Sequence, residues 1–263
     1  NARNRVLTDA FEPGSTMKPF AVAKALDLGI VRPDTLVQTA PGKLTIGDRT
    51  IGDTHNYGMI TVSQVVSKSS NIGTSKIALE MTPQTLWQTF EQATISYGHG
   101  ISVSLMQLVR AYTALARNGD VIDLTFRRTN REAQGIQVFR PEVARQMRSM
   151  MMGTVTAGGT ARRVSVEGYT VAGKTGTANK IENGEYVSKY VASFVGMAPA
   201  GQPRIIVAVM IDEPTKGSYF GGTVAGPVFN DVAAGALRLI GVHPDDPTAV
   251  SGSGLFVKGL RND

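Results

Sequence analysis

Three stretches in the last third of the chain constrain its fold more than any other feature. "GYTVAGKTGTANK", "YVASFVGMAP" and "RIIVAVMIDEP" alternate or run apolar with β-branched residues, and "ENGE" and "PAGQP" separate them. Turn-forming residues between short β-rich runs predict an antiparallel three-strand meander. A helical stretch follows, "VFNDVAAGALRLIG", and then a tail from Asp245 that reads as loose until "LFVKGL".

The first two thirds read mainly as helices. After the breaker pair Pro13-Gly14, Met17, Phe20, Ala21, Ala25 and Leu28 recur at three- and four-residue steps, which predicts a helix over 15–29 ending at Gly29. Residues 33–60, rich in Pro, Gly, Thr and Asp, read as loops with short strands such as "KLTIG". From Thr61 to Met81 the pattern is helix, break, helix, with the break near Ser69-Ser70-Asn71. "SVSLMQLVRAYTALARNG" puts Leu105, Leu108, Val109, Tyr112 and Leu115 on one helical face, and Asn118-Gly119 supply the stop. "RPEVARQMRSMMMGTV" is another helix. A chain of 263 residues, 42% hydrophobic, can bury one large core or two lobes. The fold class is therefore α+β.

Several chemistries drop out at once. There are no cysteines, so disulfides, thiol catalysis and thiolate metal sites are excluded. The net charge is +6, and the basic residues are scattered apart from short clusters such as Arg127-Arg128 and Arg162-Arg163. No aromatic-interleaved basic stripe is present, which argues against nucleic acid and leaves a carboxylate-bearing partner open. No stretch has the apolar length of a membrane span, and no signal peptide opens the chain. The abrupt start at Asn1 reads as that of a fragment.

"FEPGSTMKPF" places Ser15 and Lys18 three residues apart at a helix start, where the two side chains share a face. The helix N-terminus would favour an oxyanion there. A serine nucleophile needs a base and an oxyanion hole. His55, His99 and His243 give no Ser-His-Asp signature, and no G-x-S-x-G elbow occurs. A lysine serves as base if burial and a neighbouring cation lower its pKa. "KSSNIG" supplies Ser69-x-Asn71 at the helix break, and "VAGKTGTANK" supplies Lys174-Thr175-Gly176-Thr177 on a strand. The order S-x-x-K, S-x-N, K-T-G is the motif set of penicillin-binding proteins and class A β-lactamases.

With "HNYG", "ATISYGHGI" and "YFGGTVAGPVF" added, nearly the whole chain resembles the transpeptidase domain of class B penicillin-binding proteins, the septal, cell-division, penicillin-binding protein 3 type. The resemblance implies a penicillin-binding protein/serine β-lactamase-like fold, an antiparallel sheet flanked by helices with an all-helical lobe, spanning 1–263. It implies that the N-terminal non-catalytic domain and membrane anchor, the first part of the sheet and a loop between Gln92 and Ala93 are missing. It further implies a peptidoglycan D,D-transpeptidase that cross-links stem peptides ending in D-Ala-D-Ala through an acyl-serine and is inhibited covalently by β-lactams. No cofactor or metal is implied. Location would be the bacterial inner membrane with the catalytic domain in the periplasm, beside other division proteins including a glycosyltransferase. Ser15 would be the nucleophile, Lys18 the base, Ser69 the proton relay and Asn71 a holder of substrate amide and Lys18. Lys174 would supply a positive field. Thr175 and Thr177 would bind the terminal carboxylate, and the Ser15 and Thr177 N–H groups would form the oxyanion hole. Gly176 would leave room for a substrate strand, and Tyr190, Tyr219 and Phe220 would wall the site. His99 stands where relatives often carry tyrosine. The motif set also admits a serine β-lactamase, a β-lactam-sensing domain or a D,D-carboxypeptidase. A β-lactamase would need a deacylating base, and no Glu-x-x-Leu-Asn segment occurs.

Overall fold

The computed structural model describes residues 3–94, 102–182, 184–215 and 217–246. His99, most of "ATISYGHGI" and the "LFVKGL" tail lie outside these residues. In chain order come α1 (Arg5–Thr8), β1 (Ala10–Phe11), a 3₁₀ turn (Gly14–Met17), α2 (Lys18–Asp27), β2 (Leu36–Gln38), β3 (Lys43–Ile46), β4 (Arg49–Gly52) and β5 (Met59–Thr61). They are followed by α3 (Val62–Ser67), α4 (Asn71–Leu79), α5 (Pro83–Thr94), β6 (Val103–Ser104), α6 (Leu105–Ala116), β7 (Asp120–Ile122), β8 (Gly135–Gln137) and α7 (Pro141–Met152). Last come β9 (Ala172–Glu182), β10 (Glu185–Ala198), β11 (Ile205–Asp212), α8 (Gly221–Val224) and α9 (Gly226–Leu239).

The meander forms as the turn signals require. β10 pairs antiparallel with both neighbours, and the strand order is β11-β10-β9. The two-residue period of a strand sorts its side chains between two cores. Val191, Val195 and Met197 of β10 face the helical lobe, where they join Phe20, Leu108, Tyr112 and Met147. Phe194 and Ala198 face the other way, onto Phe229, Ala233 and Leu237 of α9. The sheet is thus buried on both faces, and β9 is an edge among the described strands.

Helix ends follow local chemistry. Thr61 and Ser104 cap α3 and α6 with reciprocal Gln64 and Gln107 side-chain bonds. The buried Arg148 of α7 donates to the carbonyls of Leu115 (2.8 Å) and Arg117 (3.0 Å), at the end of α6. Gly29, at φ +72°, follows α2 in the left-handed region that glycine tolerates.

The start of the helix after Gly14 differs from the expectation. Ser15 lies in the 3₁₀ turn, and α2 begins at Lys18, whose backbone N–H donates to the Ser15 carbonyl. A three-residue turn keeps Ser15 and Lys18 on one side just as an α-turn would. Gly14 enters this turn at φ +54°. α5 runs unbroken across positions 92 and 93.

Candidate active site

Each of the three motifs sits at an element end. The Ser15 turn packs against β9: a Cβ on Gly14 would lie 3.5 Å from Ala178 Cβ and 3.7 Å from the Thr177 carbonyl. From the other side, the buried Tyr112 hydroxyl of α6 donates to the Thr16 carbonyl at 2.7 Å. Burial raises the Tyr112 pKa, so its proton stays in this bond. Sheet and lobe together fix the backbone that carries Ser15.

Ser69 occupies the loop between α3 and α4 at φ +58°, a left-handed conformation uncommon for a residue with a Cβ. The loop is held by Asp53, a side chain that no sequence motif marks. Asp53 accepts from Ser70 Oγ (2.6 Å), Asn71 N (2.5 Å) and Ile72 N (3.2 Å). Ser70 Oγ itself accepts from Gly73 N at 2.8 Å, so serine and aspartate cap α4 together. Asn71 Nδ2 also donates to the Gly52 carbonyl at 2.7 Å. Asp53 and Gly52 are 17 to 19 residues from these partners, and no short motif joins them.

The lysines converge on this loop. Lys18 Nζ donates to the Ser69 carbonyl (2.7 Å), Ser69 Oγ (3.3 Å) and Asn71 Oδ1 (2.5 Å). Lys174 Nζ is 2.7 Å from the same Ser69 Oγ and 3.1 Å from the Thr175 carbonyl. One hydroxyl therefore bridges two amines. Burial lowers the Lys18 pKa to about 8, with the Asp53 charge opposing. The fully buried Lys174 is also pushed well down, by burial first and then by the Lys18 charge. Burial is the first cause for both lysines. Lys18 follows Ser15 by one turn of the chain, at the start of α2.

Strand alternation divides the K-T-G-T run. Lys174 faces the lobe and Ser69. Thr175 and Thr177 face the opposite way, where Thr175 Oγ1 meets Thr160 Oγ1 at 2.8 Å and Thr177 Oγ1 accepts from Gly221 N at 3.2 Å. Gly176 is crowded by the protein's own atoms rather than open toward a substrate strand. A Cβ there would strike Ser193 Oγ, Thr16 Cγ2 (2.9 Å) and the Pro13 carbonyl (3.0 Å). The glycine lets the Ser15 turn pack on β9; the crowding comes from the protein itself and not from a substrate strand.

Ser15, Ser69, Asn71, Thr175, Thr177 and Phe220 line one cleft of about 850 Å³. Tyr219 lies between Tyr190, stacked at 4.1 Å, and Phe220, tilted at 4.6 Å. Of these three rings, Phe220 is the one on the cleft lining. His55, which belongs to no catalytic signature in the sequence, also lines it, with Tyr57, Lys68, Arg162 and Arg163.

Asp53→Ala should lower benzylpenicillin acylation roughly ten- to a hundred-fold, the equivalent of the ~1.5–3 kcal/mol of a hydrogen bond to a charged group. Stopped-flow labelling checks this; an unchanged rate would mean the Ser69 loop is held without Asp53.

The family described as "Penicillin binding protein transpeptidase domain" matches residues 1–92 and 86–234. "Probable peptidoglycan D,D-transpeptidase PenA" of Neisseria flavescens is 43% identical over 93% of this chain and 68% of its own length. "Peptidoglycan D,D-transpeptidase FtsI" of Escherichia coli is 35% identical over 92% of this chain, which spans 46% of that relative. The chain thus spans about half the length of several curated relatives. Among solved structures, the apo transpeptidase domain of Burkholderia pseudomallei penicillin-binding protein 3 superposes with a TM-score of 0.88 at 44% identity, covering 93% of this chain and 84% of that one.

Proposed function

Because this chain belongs to the penicillin-binding protein transpeptidase family, we propose that it is the catalytic domain of a serine D,D-transpeptidase that cross-links peptidoglycan stem peptides in septal wall synthesis. The observation that carries the reading is the chain of contacts Lys18–Ser69–Lys174, whose middle residue, Ser69, lines one cleft with Ser15. Ser15 attacks the carbonyl of the penultimate D-alanine and Lys18 takes its proton. The Ser15 and Thr177 N–H groups hold the oxyanion, and the Thr175 and Thr177 hydroxyls hold the terminal carboxylate. Ser69 passes the proton to the departing D-alanine amine. An amine of a second stem peptide then attacks the ester. A β-lactam enters the same path and stays as the ester.

No described residue lining the cleft is Asp or Glu, which favours amine transfer over a β-lactamase's hydrolysis. The family match breaks near residues 86–92, which supports reading a segment as absent between Gln92 and Ala93. No described helix is long and apolar enough to cross a membrane. Anchoring in the inner membrane, a periplasmic setting and partnership with division proteins, including a glycosyltransferase, follow from the septal reading.

The test is transfer itself. With a D-alanyl thioester donor and D-alanine as acceptor, amide product should grow with acceptor concentration at the expense of hydrolysis. Hydrolysis alone at every acceptor concentration would contradict the transferase reading.

The aromatic wall gives a second expectation. Tyr219→Ala with Phe220→Ala should slow acylation by β-lactams with bulky aromatic side chains by roughly tenfold, the scale of losing buried ring contacts. Small β-lactams should change less. Equal loss for both, measured as second-order acylation constants, would show a general effect on the fold.

A further inference from the structure

The cleft is charged unevenly along the β9 edge. Beyond its lining, toward the Asn179 end of β9, stand Tyr190, which pairs in register with Asn179, and the stacked Tyr219. At its Thr175 end, past the Thr160–Thr175 hydroxyl pair, the chain continues into Arg162 and Arg163, both exposed and both lining the cleft. Lys68 also lines the cleft, its ammonium 5.4 Å from the Tyr57 ring centroid. Among the described residues, Lys68, Arg162 and Arg163 form no ion pair, and no carboxylate lines the cleft. The arginine turn is held by its backbone. Asn230 of α9 donates to the Arg163 carbonyl (2.8 Å) and accepts from Ser165 N (3.0 Å), while Ala161 N donates to the Thr154 carbonyl (2.9 Å). The two guanidinium groups thus stand on a fixed support, free of partners among the described residues.

We propose that Arg162 and Arg163, with Lys68 of the same cleft, form an anion subsite that takes a carboxylate of the acceptor peptide. The proposal rests on the reading of Ser15 as the acylated residue and of Thr175 and Thr177 as the terminal-carboxylate site. Under that reading the donor chain ends at the threonines, so none of it extends to the arginines. What occupies the arginine end arrives on the leaving-group side after D-alanine departs. In the second step an acceptor amine attacks the Ser15 ester carbonyl. The new C–N bond forms, the C–Oγ bond breaks, and the amine proton returns to Ser15 through Lys18 and Ser69. An acceptor whose body carries carboxylates is drawn into this end by the unpaired cations, an effect that weakens as salt screens the charges.

Two acceptors of the same shape and different charge test this: D-glutamate and D-glutamine, competing for the acyl-enzyme formed from a D-alanyl thioester. The parent protein should favour D-glutamate about fivefold at low salt, the scale of a few exposed charge contacts. High salt should shrink the preference. Arg162→Ala with Arg163→Ala should bring the ratio near one while thioester consumption continues, and Arg162→Lys with Arg163→Lys should retain it. An unchanged ratio in the alanine variant, or equal loss for both acceptors, overturns the subsite. If the alanine variant fails to fold, a salt-independent ratio in the parent overturns it equally. Failure of the parent to form any Ser15 adduct would instead sink the transferase reading, so the two failures are distinguishable.

Discussion

Ser15→Ala should bind no β-lactam covalently and should keep its fold. The side chain is half-buried at the cleft surface, and its removal breaks none of the contacts that hold the 3₁₀ turn. Those contacts are the Tyr112 hydroxyl on the Thr16 carbonyl and Thr16 Oγ1 on the Pro13 carbonyl at 2.8 Å. Without Oγ no ester forms, so labelling by a fluorescent penicillin should fall to background while circular dichroism is unchanged. Peptide mapping of the parent should place the adduct on Ser15. An adduct at Ser69 or any other hydroxyl would overturn the assignment of the nucleophile.

Lys18→Arg should slow acylation by roughly 10²–10⁴, the usual contribution of a positioned general base. Arginine keeps a charge and donors for the Ser69 carbonyl and Asn71, so the loop keeps partners. A guanidinium, however, stays protonated at any workable pH. The pH profile separates loss of the base from loss of structure. In the parent, burial holds the Lys18 pKa to about 8. The neutral, proton-accepting form grows as pH rises through that value, so acylation should climb across pH 7–9 and then level. In Lys18→Arg this limb should vanish and the residual rate should be flat. A slow variant that keeps the same limb would move the base elsewhere in the Lys18–Ser69–Lys174 group.

The sequence is most legible where local pattern and tertiary demand agree. The β9–β11 meander follows from two-residue alternation and clear turns, and the α3–α4 break follows from Ser70 acting as a cap. The 3₁₀ turn at Gly14–Met17 reads as α-helix from sequence, because both structures place Ser15 and Lys18 on one side and differ by a carbonyl that no side chain betrays. The pairing of β1 with β6 joins two-residue strands some ninety positions apart, too short for any periodicity. Asp53 escapes sequence reading for a related reason: its three donors lie 17 to 19 residues downstream. The Arg162-Arg163 cluster is visible as composition, but its place at the cleft depends on tertiary contacts such as Thr160–Thr175 and Asn230–Arg163. At Gly176, alternation turns the missing side chain toward Thr16 and Ser193, a contact that the sequence does not show.

Under the proposed function, this cleft makes an ester at Ser15 and hands it to an amine rather than to water. Intact-protein mass spectrometry after mixing with one equivalent of benzylpenicillin, followed over hours, tests it most directly. A single stoichiometric penicilloyl adduct should persist for hours, because the acyl-enzyme step has a base for the amine and no carboxylate among the described cleft residues to activate water. Rapid return to the unmodified mass, with continued consumption of penicillin that Ser15→Ala abolishes, would contradict it and make the chain a β-lactamase.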